Sequence, residues 1–315
     1  MPVLSEPLSL RTAGVPAAAP CARPAELLTA GYLLATGLLV ASLGDPPMAW
    51  GSTLLFHTIG IALMLGVLPR LRATGWPAVV RDWLPVLAPP LFYAEVAHLN
   101  QLLGMGYHDG TIQVLEGALF VTASGAQPGV ALRHLLPWPA VGEYLHFSYF
   151  AYYLLLPLLA GVLYFHGRIR EYRYVVATVL GTFYLCFLCF IVFPVAGPWY
   201  RLPHPSASAI GAFFPHLVHM VLARAASKGA AFPSSHVAVA VVIWLLAWRF
   251  ARRVFWLLAL IVPTLAVGTV YGGFHYAIDV AAGAAVGILC YLIGPRINRM
   301  LGGDTVDLHS EPTWS

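Results

Sequence analysis

Gly268-Thr-Val-Tyr-Gly-Gly-Phe-His-Tyr-Ala-Ile-Asp279 joins two long apolar runs, residues 253–272 and 275–294, through a turn at Tyr271-Gly-Gly-Phe274. Runs of that length match the ~30 Å hydrocarbon core of a bilayer, so the stretch reads as two membrane-spanning helices meeting at one face. His275 and Asp279 stand four residues apart at that meeting point. On a helix this spacing stacks two side chains on one face, where the carboxylate can take one imidazole N–H. The other ring nitrogen is then left as a nucleophile or a base of fixed tautomer. A lone His–Asp pair also serves as a satisfied polar contact between helices. Phe232-Pro-Ser-Ser-His236 turns the reading toward chemistry, because it places a second histidine where another apolar run begins.

The rest of the chain agrees with a membrane setting. Hydrophobic residues make up 59% and charged residues only 10%, whereas a soluble domain carries about 25% charge. Eight apolar runs are long enough, or nearly so, to cross: 27–44, 50–69, 84–104, 144–165, 172–195, 232–248, 253–272 and 275–294. The expected fold is all-α, a polytopic membrane helix bundle of about eight transmembrane helices. It divides into a disordered cytoplasmic tail (1–25), two added helices (26–83), a membrane core (84–295) and a second cytoplasmic tail (296–315). The net charge of +4 does not point to nucleic acid, since the basic residues sit in short loops between apolar runs. With eight spans, thirteen arginines from Arg11 to Arg299 fall on one side, and Arg133, Arg201, Arg224 and Lys228 on the other. That asymmetry puts both termini in the cytoplasm and both histidine motifs at the extracytoplasmic face. Two outer segments, 105–143 and 196–231, are too long for simple connectors. The first contains Thr111–Phe120, expected as a short interfacial helix; such long loops are usually functional.

Phe232-Pro-Ser-Ser-His236 and His275-Tyr-Ala-Ile-Asp279 resemble the second and third signatures of the type 2 phosphatidic acid phosphatase superfamily. Phe193-Pro-Val-Ala-Gly-Pro-Trp-Tyr200 and the His-Tyr-x-x-Asp form resemble the branch containing fungal inositol phosphorylceramide synthase. The likeness covers roughly residues 84–294. It implies a lipid phosphatase or phosphotransferase with a six-helix core, in which His275, held by Asp279, attacks phosphorus and forms a phosphohistidine. His236 would then protonate the departing alkoxide and later deprotonate the acceptor. The chain departs from the superfamily in two places. The first signature's lysine and Arg-Pro are absent, and Thr269 stands where an arginine usually precedes the histidine by six residues; the synthase-like branch also lacks that arginine.

A phosphoester is cleaved by a nucleophile, an acid for the leaving oxygen, and positive groups around the equatorial oxygens. Pro233 fits a first helical turn and Ser234 or Ser235 a cap, so free backbone N–H groups there, and where His275 opens its own helix, should face the phosphate. Replacement cations are sought in Arg201 first and Lys228 second, with Arg224 behind them. His146, Tyr149 and Tyr200 are candidate substrate contacts, although an aromatic interfacial belt explains the tyrosines as well. Gly283 and Gly287 continue the i, i+4 face of His275 and Asp279 and let another helix approach closely. Glu95 and His98 are expected to satisfy one another or a neighbour inside the bundle. His204, His216 and His219 lack a convincing metal-ligand spacing, and the four cysteines show no disulfide or metal pattern, so neither metal nor cofactor is expected. The expected partners are a membrane lipid substrate and, for a transferase, a polyol acceptor such as inositol. Water as acceptor makes a phosphatase, an alcohol a transferase, and the motifs do not separate them. A lipid transporter or scramblase using the His–Asp pair as a polar relay, or a non-catalytic relative, are the alternatives.

Overall fold

Proline and glycine set where the apolar runs of this chain stop being helix. The computed structural model describes residues 21–44, 50–120, 125–203 and 205–306, and among these every extended regular element is helical. Residues 1–20 and 307–315, most of the two expected tails, and His204 lie outside the described residues. Helix α1 (Pro24–Leu43) begins with proline at its first position, where the missing N–H would be unpaired in any case. Helix α2 (Gly51–Ile61) continues through a π-helical segment and a short turn to Arg70, and α3 (Gly75–Trp83) follows.

The run at 84–104 does not form one long helix. Pro85 sits in a tight turn at Leu84–Leu87, and Pro89 and Pro90 open the 12-residue α4 (Ala88–Leu99). The segment 105–143 holds α5 (Asp109–Leu119), where the interfacial helix was expected, and α6 (Pro128–Leu135). After α7 (Pro139–Phe165) and α8 (Ile169–Val192), the segment 196–231 holds α9 (Pro198–Arg201), α10 (Ala207–Ile210) and α11 (Phe214–Ala225). Helices α12 (Ser235–Phe250), α13 (Arg252–Tyr271) and α14 (Ala277–Met300) complete the chain. Among the described residues six helices are long and apolar enough to cross a membrane: α1, the Gly51–Arg70 rod, α7, α8, α13 and α14. The other two of the eight expected runs are short. Helix α12, at 16 residues, is about 24 Å long.

Helix α12 is the axis of the bundle, packed by α14, α13, α8 and α7. Val237, Ala238, Val239, Ala240, Val242, Ile243, Leu246 and Ala247 are all buried, so it has no broad outward face. Between helices in lipid the hydrophobic effect supplies no drive, and close packing of small residues takes its place. Gly283 and Gly287 show this directly. A Cβ on Gly287 would stand 2.5 Å from the Ala238 carbonyl oxygen, and one on Gly283 would run into the Ser234 carbonyl. Helix α14 therefore lies backbone to backbone against the start of α12.

Chain direction sorts the charges to the two ends. One end gathers the starts of α12 and α14, the end of α13 and the loop after α8. The opposite end gathers Arg23, Arg81, Arg168 and Arg173. There Asp82 pairs with Arg23 and Arg173, Glu26 with Arg81, and Arg168 donates to the Phe250 carbonyl at 2.5 Å. Glu95 of α4 pairs with His57 of α2 at 3.1 Å and not with His98, which is exposed. The α4 helix turns Glu95 toward α2 and His98 outward, so the expected His98 partnership gives way to an inter-helix one.

Candidate active site

The site begins with the turn after α13. Helix α13 ends at Tyr271, Gly273 takes φ +74°, and α14 starts only at Ala277. His275 thus precedes its helix and does not open it, and the expected stacking with Asp279 on one helical face is not what joins them. Its Nδ1 lies 3.0 Å from the Ala231 carbonyl oxygen and 3.5 Å from Asp279 Oδ2. Both neighbours are acceptors, so Nδ1 carries a proton, and in the neutral ring the lone pair is then on Nε2. Asp279 is fully buried, and its Oδ2 also takes the Tyr276 N–H at 2.9 Å.

His236 is held from the other motif. Ser234 is the N-cap of α12, its hydroxyl accepting the Val237 N–H at 3.4 Å, and Pro233 lies outside the helix. Ser235 is the buried first helical residue. The Ser234 N–H donates to the Asp279 carbonyl at 2.9 Å, tying the two motifs together by their backbones. The His236 and His275 rings stand 5.9 Å apart, centroid to centroid. Tyr149 stacks on His236 at 4.9 Å, and its hydroxyl lies 3.2 Å from Nε2. Tyr152 covers the same ring at 4.4 Å.

Among the described residues three cavities meet these histidines. A small one of about 40 Å³ is lined by both, with Tyr93, Tyr149, Trp199, Tyr200 and Phe274 among its walls. A water-sized probe needs about 10–15 Å³, so this space takes a group of a few heavy atoms. A larger, mainly apolar groove of about 540 Å³ reaches His236 from between α4, α7, α8, α11 and α12, with Arg224 among its lining residues. A third cleft of about 250 Å³ reaches His275 and includes Glu116, Gln127, Arg133 and Pro198.

Several carboxylates shape this end without touching an imidazole. Asp109 accepts the Ala196 and Gly197 N–H groups, each at 2.9 Å, and the Tyr276 hydroxyl at 3.2 Å. Gly197 is needed in that loop, with φ +88° and no room for a Cβ beside Ala231. Glu116 accepts the Ile278 N–H at 3.1 Å. Burial raises its pKa above the ordinary glutamate value, backbone N–H donors oppose that, and the nearby Asp279 adds to it. The first amides of α14 are therefore occupied by Glu116 and Asp279, contrary to the expectation that this helix start faces a phosphate.

The proposed cations divide. Arg201 stands 3.6 Å from Asp109 with its guanidinium 5.8 Å from the Tyr107 ring. Lys228 is exposed, with its ammonium over Tyr107 and Tyr200. Neither lines any of these three cavities. Arg133, not singled out from the sequence, lines the third, and burial pulls its pKa below the ordinary arginine value. Thr269 is fully buried and donates to the Ala266 carbonyl. His146 is buried behind Phe274, its Nδ1 on the Gly142 carbonyl at 2.7 Å, and does not line the small cavity. Tyr149 and Tyr200 do line it, Tyr200 with its hydroxyl on the Ala226 carbonyl. Asp109, Glu116 and Arg133 gave no sequence signal beyond their place in a segment longer than a connector requires.

Six helices long and apolar enough to cross a bilayer, among the described residues, make this an integral membrane protein. The sequence model of the PAP2 superfamily matches residues 120–293, more than half of the chain, and the chain belongs to that superfamily. No curated protein and no solved structure matches significantly.

Proposed function

We propose that the protein transfers a phosphoryl group from a membrane lipid phosphate ester through a phosphohistidine on His275. The observation that carries this is the state of His275: its Nδ1–H faces the Ala231 carbonyl and Asp279, so Nε2 is free to attack. In-line displacement puts the attacking and leaving atoms on opposite sides of phosphorus. In this reading His236, across a shared cavity from His275, protonates the leaving oxygen and then deprotonates the acceptor. The apolar groove reaches His236, which supports the lipid itself as the leaving alcohol. Water as acceptor gives a phosphatase. A polyol or other alcohol gives a transferase, the direction in which the Gly-Pro-Trp-Tyr likeness to inositol phosphorylceramide synthase points. The arginine asymmetry supports an extracytoplasmic site.

The test is rapid acid quench with a labelled aryl phosphate, counting protein-bound phosphate. Wild type should form a phosphoenzyme and His275→Ala none, with turnover abolished. Asp279→Asn should form it slowly with either aryl or lipid esters, because His275 loses its oriented tautomer. Label retained by His275→Ala and absent from His236→Ala would reverse the two roles. Absence of label and turnover in wild type, across phosphate-ester lipids, would leave the relay or non-catalytic alternative.

A further inference from the structure

We propose that the cleft beside His275 is an oxyanion subsite and that Arg133 is the cation that holds the phosphoryl oxygens there. This rests on the phosphoryl-transfer reading above. A phosphoryl group in transfer spreads negative charge over its equatorial oxygens, and a site shielded from water needs a fixed cation aimed at them.

Four cations lie at the histidine end, and the geometry separates them. Arg201 has Asp109 as its counter-charge and is 44% exposed. Lys228 is exposed above two tyrosine rings. Arg224 lines the apolar groove, where the lipid body and not the phosphate would lie. Arg133 lines the 250 Å³ cleft together with His275. Among the described residues no carboxylate pairs with it, since none comes within 4.0 Å. Glu116, in the same cleft, directs an oxygen to the Ile278 amide. Among the described residues the Arg133 guanidinium makes one hydrogen bond, Nη1 donating to the Tyr271 carbonyl at 2.6 Å. A guanidinium carries five N–H donors, so the tether leaves the charge and most of the fork for a ligand.

The position is also built rather than incidental. A Cβ on Gly129 would stand 2.5 Å from the Val270 carbonyl oxygen, so α6 sits against the last turn of α13 with no methyl between them. The Tyr271 hydroxyl donates to the Leu136 carbonyl at 3.2 Å, which pins the far end of the same helix. Arg133 is thus tethered to the very turn that presents His275, in a cleft that both residues line.

The experiment uses the full chain in detergent and orthovanadate as the probe. Arg133→Gln keeps a donor for Tyr271 and removes the charge. Vanadate should raise the Tm of wild type and inhibit its aryl-phosphate turnover. In Arg133→Gln the inhibition constant should rise about 10- to 100-fold, the range of a charged hydrogen bond, and the vanadate-induced Tm shift should shrink. Arg133→Lys should recover part of both, and Arg299→Gln at the opposite end should change neither. Wild-type vanadate inhibition and an unchanged Tm shift in Arg133→Gln would overturn the assignment. If Arg133→Gln does not fold, Arg133→Lys decides: vanadate affinity equal to wild type, where a point charge replaces the planar fork, would equally overturn it. Wild type that neither turns over nor responds to vanadate would instead refute the phosphoryl-transfer reading, and the subsite with it.

Discussion

At the arginine-rich end, Asp82 takes Arg23 at 2.5 Å and Arg173 at 3.1 Å, and Glu26 takes Arg81 through two oxygens at 2.6 and 3.0 Å. At the histidine end the carboxylates take backbone N–H groups. Asp109 binds the Ala196 and Gly197 amides, Glu116 that of Ile278, Asp279 that of Tyr276, and Glu143 those of Ala212, Phe213 and Phe214. In the first case charge meets charge and ties α1, α3 and α8 into one layer. In the second, carboxylates stabilise turns and helix starts, where the exposed N–H dipoles favour a negative group. The acids of the site end therefore consume few of its cations, and arginine is left for a ligand.

The comparison predicts that acids at one end govern stability and at the other end chemistry. The largest effect belongs to the histidine end. His236→Ala should cost about 10²–10⁴-fold on lipid esters, whose alkoxide needs a proton, and far less on an aryl phosphate; equal losses on both, measured by steady-state turnover, would deny His236 the acid role. At the other end, Asp82→Ala leaves two guanidiniums without their carboxylate and should lower stability by about 3 kcal/mol. Thermal unfolding reads that loss, and kcat/KM below the transition should stay near wild type. Asp109→Asn keeps one acceptor for the Ala196–Gly197 loop but loses its charge toward the second amide and Arg201. Losing that charged hydrogen bond should cost about 1.5 kcal/mol of stability, less than Asp82→Ala, while kcat/KM below the transition falls because the loop beside the site shifts. A Tm drop in Asp109→Asn as large as in Asp82→Ala would erase the distinction between the ends.

The smallest effect is a pH dependence. Glu116 has its pKa raised in the folded protein, chiefly by burial, so the folded state binds the proton more tightly than the unfolded chain. Stability from this group is greatest below the ordinary glutamate value and falls as pH rises from there through the raised one. Glu116→Gln keeps an acceptor for the Ile278 amide and should flatten that slope in a series of thermal melts. An unchanged slope would place the titration elsewhere.

Much of the fold was legible because lipid leaves so few options and apolar runs of fixed length become helices; the run at 84–104, expected to span, is instead broken at Pro85, Pro89 and Pro90. The two histidines were legible because each stands beside a helix start with recognisable neighbours. Asp109, Glu116 and Arg133 were not. Glu116 meets Ile278 across 162 residues and Arg133 meets Tyr271 across 138, and each contact depends on the path of a loop that no periodicity describes. The same limit applies to Arg201. Its neighbourhood was readable, but not that a distant carboxylate, Asp109, would claim it.

The backbone contact between α12 and α14 fixes more than packing. With Gly283 seated on the Ser234 carbonyl and the Ser234 amide donating to the Asp279 carbonyl, the two histidine motifs form one jaw that cannot widen there without breaking a main-chain hydrogen bond. On the proposed function, admission of a substrate would then fall to the opposite wall, where Tyr149 and Trp199 line the small cavity. A lipid phosphate would slip in sideways from the groove by turning aromatic shutters, while the distance between its two histidines stays set like the gap of a machined slot.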